Sequence, residues 1–244
     1  MNSRSSSPAT APTPQAPEFA PEPGTRQLML ETAERLFAQD GLDAVPLHRI
    51  VQDSGQRNRS ALRYHFGTRP EVVAHVINMR MPVVNARRHQ LLDAVEAQPG
   101  GFCVRDVAMA SASALAEVMD GEPWGRDYAR IISQANFNPA ACRYDLIPEE
   151  NTSSLRRVRA LVASLSPEVP TTILDERLLW MEDTVVMTLG RLARGEGAAA
   201  GTNVLHNLVD YCAGALQASV SDAARGRRET AAFAQTRHRA ATRR

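Results

Sequence analysis

The chain has 244 residues, of which 43% are hydrophobic and 23% are charged, and its formal net charge is +1. This composition is typical of a globular protein with one large or two modest domains. A membrane protein is excluded because no apolar run approaches the roughly 20 residues that cross a bilayer. The N-terminus also lacks the pattern of a secretion signal, which predicts a cytoplasmic protein.

The near-zero net charge hides an uneven distribution of arginine. All 28 basic residues are Arg, and five of them fall between Arg49 and Arg69 against the single acid Asp53. Such a positive segment suits a polyanion, because neutralising phosphates releases counterions. Charge alone leaves open a solvated face that balances acids elsewhere in the fold.

Helical periodicity begins after a proline-rich segment. Residues 1–24 contain six prolines among Ser, Thr and Ala, and this composition predicts disorder. The first helix is expected to begin after Thr25 and to end at Gly41. One apolar face defines it: Met29, Ala33, Leu36 and Phe37.

Two short helices follow the first. Leu47, Ile50 and Val51 predict the second helix, with Pro46 in its first turn and Gly55 after its end. A third helix is expected over residues 58–64. Two short helices joined by a turn are the geometry of a helix-turn-helix, in which the second helix of the pair enters the major groove of DNA.

The remainder of the chain predicts longer helices. A fourth helix should begin after Thr68, contain Pro82 as a kink, and end near Ala97. Further helices are predicted over 103–119, 124–137, 152–165, 172–194 and 203–220. The arginine-rich residues 222–244 predict a disordered or frayed tail. No segment has the pattern of a strand.

Residues 26–75 resemble the N-terminal domain of TetR-family transcriptional regulators. The resemblance rests on a pattern spread over all of this segment rather than on any one motif. Its parts are Met29-Leu30, Thr32-Ala33, Leu36-Phe37, Gly41, Ile50-Val51, Gly55, Leu62, Tyr64-His65-Phe66-Gly67, Thr68-Arg69 and Glu71. The resemblance implies an all-α fold, with a three-helix DNA-binding domain and a larger C-terminal helical domain for ligand binding and dimerisation. The expected segments are a proline-rich tail at 1–24, the DNA-binding domain at 25–80, the regulatory and dimerisation domain at 81–221, and an arginine-rich tail at 222–244.

The resemblance also implies roles for individual residues. Arg49 and Tyr64 match positions that contact the DNA backbone, His65 lies near the end of the recognition helix, and Arg69 matches a basic residue that binds phosphate. Arg and Asn side chains can read guanine and adenine edges. The predicted DNA-binding residues are therefore Arg49, Gln56, Arg57, Asn58, Arg59, Ser60, Arg63, Tyr64, His65 and Arg69.

Two departures from the family pattern affect these roles. The stretch from Gly55 to His65 is one residue longer than the commonest spacing, which is typical of a subgroup and shifts the register of the base-reading residues by about one position. Val45-Pro46 also replaces the hydroxyl residue that often begins the second helix, so one phosphate contact is expected to be missing.

The C-terminal half is expected to hold an apolar ligand pocket and a dimer interface. The predicted pocket residues are Met109, Ser113, Trp124, Phe137 and Met181, within a wider set that includes Met119, Tyr128, Gln134, Asn136, Asn138 and Met187. The last two helices are expected to pair with a second subunit, since wide apolar surfaces fit two partners. The interface residues are predicted as Trp180, Val185, Leu189, Leu205 and Leu208. The alternative is that these helices are simply buried in one chain.

These features predict a homodimeric DNA-binding repressor, associated with the bacterial nucleoid, that an unknown small molecule releases from a near-palindromic operator. No catalytic constellation, phosphate-binding loop or metal-ligand spacing is present in the sequence, and the cysteines at 103, 142 and 212 are far apart. The sequence therefore predicts neither an enzyme nor a metal or other cofactor. Two alternatives remain: a helical small-molecule-binding protein or enzyme with vestigial DNA binding, and a ligand-independent regulator.

Overall fold

The computed structural model describes residues 23–58, 60–197 and 203–225. Over these ranges the chain is all-α, as the sequence predicts, and no strand is present. The helices are α1 (Pro23–Asp40), α2 (Leu47–Asp53), α3 (Ala61–Phe66), α4 (Arg69–Glu96), α5 (Val104–Gly121), α6 (Gly125–Phe137), α7 (Ser153–Leu165), α8 (Thr171–Ala193) and α9 (Val204–Gln217). Most of both predicted tails, and Arg59, lie outside the described residues.

The first helices differ from the sequence prediction at their starting points. Helix α1 begins at Pro23, so Thr25 lies in its first turn rather than before it. Pro46 has an extended backbone and precedes α2 instead of occupying its first turn. The apolar faces of α1 and α2 are buried, which confirms the periodicity from which both helices were predicted.

Helix α3 is shorter than predicted and begins three residues later, at Ala61. The cause is the Asn58 side chain, whose Oδ1 accepts a hydrogen bond of 3.0 Å from the backbone N–H of Ser60. This bond gives the Ser60 N–H a partner outside the helix, because a short Asn side chain competes with the helical ladder for backbone donors. The helix ends at Gly67, whose φ of 78° favours a residue without a Cβ.

Helix α4 connects the two halves of the chain. Thr68 and Glu71 form a capping box at its start, in which Glu71 Oε2 accepts bonds of 2.6 Å from the Thr68 backbone N–H and 2.7 Å from its hydroxyl. The same bonds lower the pKa of Glu71. Pro82 lies inside α4, as the sequence predicts. The N-terminal part of α4 therefore closes the helix-turn-helix, and its C-terminal part packs against α5 and α7.

The C-terminal half is a bundle of α4 to α9. Its main packed pairs are α4 with α5, α6 with α8 and α5 with α9. At Gly190, α8 approaches α6 so closely that a Cβ there would lie 2.4 Å from the Cβ of Ser133. Three 3₁₀ turns over 139–152 connect α6 to α7. None of the described helices has the length and hydropathy that a bilayer crossing requires.

Candidate functional site

Helix α3 has one buried and one exposed face. Leu62 and Phe66 seat it on the neighbouring helices, while Ser60, Arg63 and Tyr64 are exposed, Tyr64 to 81%. A large aromatic side chain this exposed, beside an arginine, is a surface suited to contact with a phosphate backbone. The spacing of Ser60 and Arg63 in the sequence favours one outer side, and both are exposed, with Ser60 directly before α3.

A cluster of rings supports the end of α3. His75 of α4 meets Phe66 edge-on at 5.3 Å between ring centroids, and the Arg26 guanidinium lies over the Phe66 ring at 5.3 Å. Burial lowers the pKa of both His65 and His75, and the Arg26 charge lowers it further. The cluster therefore favours neutral imidazoles behind the exposed face.

The turn between α2 and α3 contains several of the predicted DNA-binding residues. Gln56 donates a bond of 3.3 Å to the Ser54 carbonyl, and the Asn58 side chain accepts the Ser60 backbone N–H. Arg57 is exposed. Gln56, Arg57 and Asn58 precede α3 rather than belonging to it, which corrects the prediction that the recognition helix begins at residue 58. Arg59 lies outside the described residues.

Two arginines predicted as phosphate contacts have partners within the protein. Arg49 pairs with Asp40 at 2.5 Å and with Asp53 at 3.6 Å. Arg69 is half-buried and donates to the carbonyls of Leu42 and Val45 at 2.7 and 2.5 Å. Arg69 thus ties the loop between α1 and α2 to the start of α4, a structural task that its position in the sequence did not reveal.

Polar contacts join the helix-turn-helix to the C-terminal bundle. The Leu42 backbone N–H donates to Gln134 Oε1 of α6 at 3.1 Å. Arg80 of α4 forms a largely buried pair with Glu34 of α1 at 2.7 Å and lies over the Trp124 ring at 4.6 Å. Burial raises the pKa of Glu34, against the lowering effect of Arg80. These contacts therefore connect α1 and the loop after it to both α4 and α6.

A cavity of about 870 Å³ lies in the C-terminal bundle between α4, α6, α7 and α8. This volume is in the range of sites for small molecules. Most of its wall is apolar. The apolar lining includes Ile77, Met81, Val84, Leu115, Ile132, Ile147, Leu155, Val158, Leu178, Leu179, Val185 and Val186.

None of the five predicted pocket residues Met109, Ser113, Trp124, Phe137 and Met181 lines this cavity. Met181 is buried in the core, and Phe137 is 82% exposed at the end of α6. Met109, Ser113 and Trp124 also lie outside the wall. The wider predicted set did include two lining residues, Tyr128 and Asn136. Helical spacing identifies buried faces but not the place where the bundle leaves a gap, which explains the error.

Three of the polar residues that line the cavity are Arg88, Tyr128 and Asn136. Arg88 was not predicted from the sequence, and the other two belonged only to the wider set of predicted pocket residues. Arg88 of α4 is buried, with 7% of its surface exposed, and Tyr128 of α6 is 3% exposed. Asn136 donates to Asp183 at 3.2 Å and accepts from the Tyr144 hydroxyl at 2.9 Å. Arg88 could have been found from its spacing, because it is four residues from both Val84 and Leu92 on the buried stripe of α4.

The predicted dimer residues divide into two groups. Val185, Leu189 and Leu208 are buried inside the subunit, so their side chains are not available to a partner, which corrects the prediction for these three. Trp180 of α8 is 61% exposed and Leu205 of α9 is half-buried. Tyr211 of α9 is 67% exposed. Trp180 and Tyr211 are therefore the exposed aromatic side chains on these two helices, together with the aliphatic Leu179 at 60%.

Comparison with known proteins adds a family and a fold. Residues 110–215 match the sequence family described as tetracyclin repressor-like, C-terminal domain. No curated protein matches the chain in sequence. A transcriptional regulator from Rhodococcus sp. RHA1 has a similar structure, at 16% identity and a TM-score of 0.51, over 80% of this chain and 98% of that one. A second, TetR-like regulator from the same source aligns at 16% identity and a TM-score of 0.49, over 81% and 96%. At this identity the first neighbour shows a shared fold.

Proposed function

We propose that the chain, whose residues 110–215 match the tetracyclin repressor-like C-terminal domain, is a homodimeric DNA-binding transcriptional repressor of the TetR family whose operator affinity a small molecule controls. The observation that carries the proposal is the exposed face of α3. Its opposite face is buried on α2 and α4, so Ser60, Arg63 and Tyr64 are held outward on a rigid unit.

The exposed face suits a division of labour on DNA. Tyr64 and Ser60 can donate hydroxyl bonds to phosphates, and Arg63 can reach a guanine edge with two parallel bonds. Arg57 adds charge from the preceding turn, where side chains can meet the adjacent backbone. Arg49 and Arg69 serve this surface indirectly, because their own hydrogen-bonding groups are engaged within the domain.

Control by a small molecule is supported by where the cavity lies. Helices α4 and α6 form part of its wall and also contact the helix-turn-helix, α4 through Arg80 and α6 through Gln134. A ligand that shifts either helix would change the orientation of α3 and favour one state of the dimer over another. Repression, with release on binding, is the form of regulation that this arrangement serves most directly.

Dimerisation is supported by the aromatic side chains on α8 and α9. Exposed aromatic residues are enriched at the centres of protein interfaces, where they contribute most of the binding energy. A dimer also supplies the second recognition helix that helix-turn-helix proteins use to read two half-sites one helical turn apart.

The test is binding of full-length protein to duplexes drawn from the DNA upstream of its own gene, followed by fluorescence anisotropy at several salt concentrations. We expect sequence-selective binding that weakens steeply with salt. Tyr64→Ala should weaken binding to all sequences. Arg105→Ala is the matched control, because Arg105 is an exposed arginine paired with Asp210 far along the chain from α3. Absence of selective, salt-sensitive binding would overturn the proposal.

A further inference from the structure

Arg88 brings a positive charge into the apolar interior of the bundle. Its Nη1 donates to the Ser154 hydroxyl at 3.0 Å, and its Nε donates to the Ser111 carbonyl at 3.4 Å. Both partners are neutral. Over the described part of the chain Arg88 forms no ion pair, unlike the buried Arg80 nearby on the same helix, which pairs with Glu34.

A buried guanidinium without an anion is costly to maintain. Charges in protein interiors are normally paired, because removal from water costs several kcal/mol per ion. Two serines satisfy only part of the five-donor fork of an arginine. Since Arg88 also lines the cavity, a negatively charged ligand group in the cavity would supply the missing partner.

Tyr128 places a second donor in the same part of the cavity. Burial raises the pKa of its hydroxyl, so the group stays protonated and can donate, and the Arg88 charge is close enough to act against that rise. A guanidinium beside a neutral hydroxyl is a donor set that matches the two oxygens of a carboxylate.

We propose that the cavity binds an amphipathic carboxylate, whose head group pairs with Arg88 and Tyr128 and whose apolar body fills the space between α4, α6, α7 and α8. This inference rests on the proposed function, because it names the chemical class of the effector. The apolar lining and the cavity volume of about 870 Å³ fit a flexible or ring-containing body of drug-like size.

Acidic side chains at the cavity make a cationic ligand the competing occupant. The lining contains four acids, of which three have a partner: Asp175 pairs with Arg159 at 2.5 Å, Glu182 accepts from the Ser111 hydroxyl at 2.7 Å, and Asp183 accepts from Asn136. The fourth, Glu149, is exposed to solvent. These acids are exposed or half-buried, whereas Arg88 is buried. The group that most needs a counter-charge is therefore the arginine.

Calorimetric titration with three probes of equal chain length distinguishes these occupants. The probes are decanoate, decan-1-ol and decyltrimethylammonium, each added to full-length protein below its aggregation concentration. We expect decanoate to bind most tightly, and Arg88→Gln to weaken decanoate by about tenfold or more while leaving decan-1-ol unchanged. Arg88→Lys, which keeps the charge, should retain part of the affinity.

The matched control is Arg87→Gln, because Arg87 is the adjacent residue but pairs with Glu117 outside the cavity. Should Arg88→Gln not fold, Tyr128→Phe tests the same donor set and should weaken decanoate more than decan-1-ol. Equal or tighter binding of either other probe, unchanged decanoate binding in the variants, or no decanoate binding overturns the proposal. The titration contains no DNA, so its failure leaves the anisotropy result on operator binding unaffected, and the reverse also holds.

Discussion

Gln134 and Leu42, 92 residues apart, are joined by a hydrogen bond of 3.1 Å from the Leu42 backbone N–H to the Gln134 side-chain oxygen. The bond connects the loop after α1 to α6, a helix that also lines the cavity. Leu42 is itself buried, so its amide has few other partners. This contact therefore links the C-terminal bundle directly to the helix-turn-helix.

Replacing Gln134 with Leu should weaken that link. The variant leaves the buried Leu42 amide unpaired, so we expect a loss of about 1–3 kcal/mol in unfolding free energy and faster hydrogen exchange at the Leu42 amide. Denaturant unfolding and exchange monitored by NMR measure the two effects. Gln98→Leu, at an exposed position after α4, is the control and should leave both unchanged. An unaltered Leu42 exchange rate would contradict the prediction.

Arg63 and Arg69 should separate DNA affinity from stability. Arg69→Ala removes the donors to the Leu42 and Val45 carbonyls, and we expect it to destabilise the protein by about 1–3 kcal/mol. Arg63→Ala, at an exposed position, should change stability by no more than about 0.5 kcal/mol. It should nevertheless reduce operator affinity and base preference by about 1–3 kcal/mol. Thermal unfolding and anisotropy give the comparison, and equal stability losses in both variants would refute it.

The contribution of Glu34 to folding stability should depend on pH and on whether Arg80 is present to pair with it. Burial raises the folded-state pKa of Glu34, so its contribution favours folding at low pH and is lost as pH rises through that pKa. Arg80→Met removes the groups that lower this pKa and leaves a buried carboxylate. We expect a loss of about 3–5 kcal/mol near pH 7.5 and a smaller loss near pH 5.

Urea unfolding at the two pH values measures this effect. The double variant Glu34→Gln with Arg80→Met should recover part of the stability and lose the difference between pH 5 and 7.5, because no titrating group remains at that site. A loss in Arg80→Met that is the same at both pH values would show that Glu34 is not the origin.

His75 predicts acid sensitivity of the DNA-binding half. Its folded-state pKa is lowered, first by burial and then by Arg26, so its contribution to stability is present above the unfolded value near 6.5 and is lost as pH falls below it. His75→Phe keeps a ring against Phe66 without a titrating group. Its unfolding free energy should therefore fall less than that of the wild type between pH 7.5 and 5.5, and an identical fall would contradict this origin.

Trp180 should control the oligomeric state. Trp180→Glu places a charge on the exposed face of α8, and if this face is the interface we expect the dimer to weaken by at least about 2 kcal/mol, or roughly 30-fold. Light scattering coupled to size exclusion over a dilution series measures the change. Phe137→Glu is the control, since Phe137 is still more exposed but lies on α6. A dimer equally stable in both variants would place the interface elsewhere.

The sequence predicted the helices well because each one buries a periodic apolar stripe. The five C-terminal helices lie within a few residues of their predicted ranges, and α4 begins directly after Thr68, as predicted. The start of α3 was predicted too early, because the sequence pattern does not show that the Asn58 side chain accepts the Ser60 backbone N–H.

The pocket and dimer residues were harder to predict than the helices, because both predictions relied on the same apolar periodicity. Periodicity selects side chains that face the core, and the predicted dimer residues Val185, Leu189 and Leu208 were accordingly core residues. A cavity depends on how four helices are spaced, which no single helix encodes. Arg88 was passed over because charge suggests solvent, although its spacing placed it on the buried stripe.

The close approach at Gly190 couples the positions of α6 and α8. Because α6 and α8 meet there with almost no side chain between them, no compressible layer can absorb a displacement of one helix against the other. Helix α6 contacts the loop after α1 through Gln134, and α8 carries the exposed Trp180. A displacement of α6 would therefore also move α8 and the surface around Trp180. A bulkier residue at Gly190 would force the two helices apart, because its Cβ would lie 2.4 Å from the Cβ of Ser133.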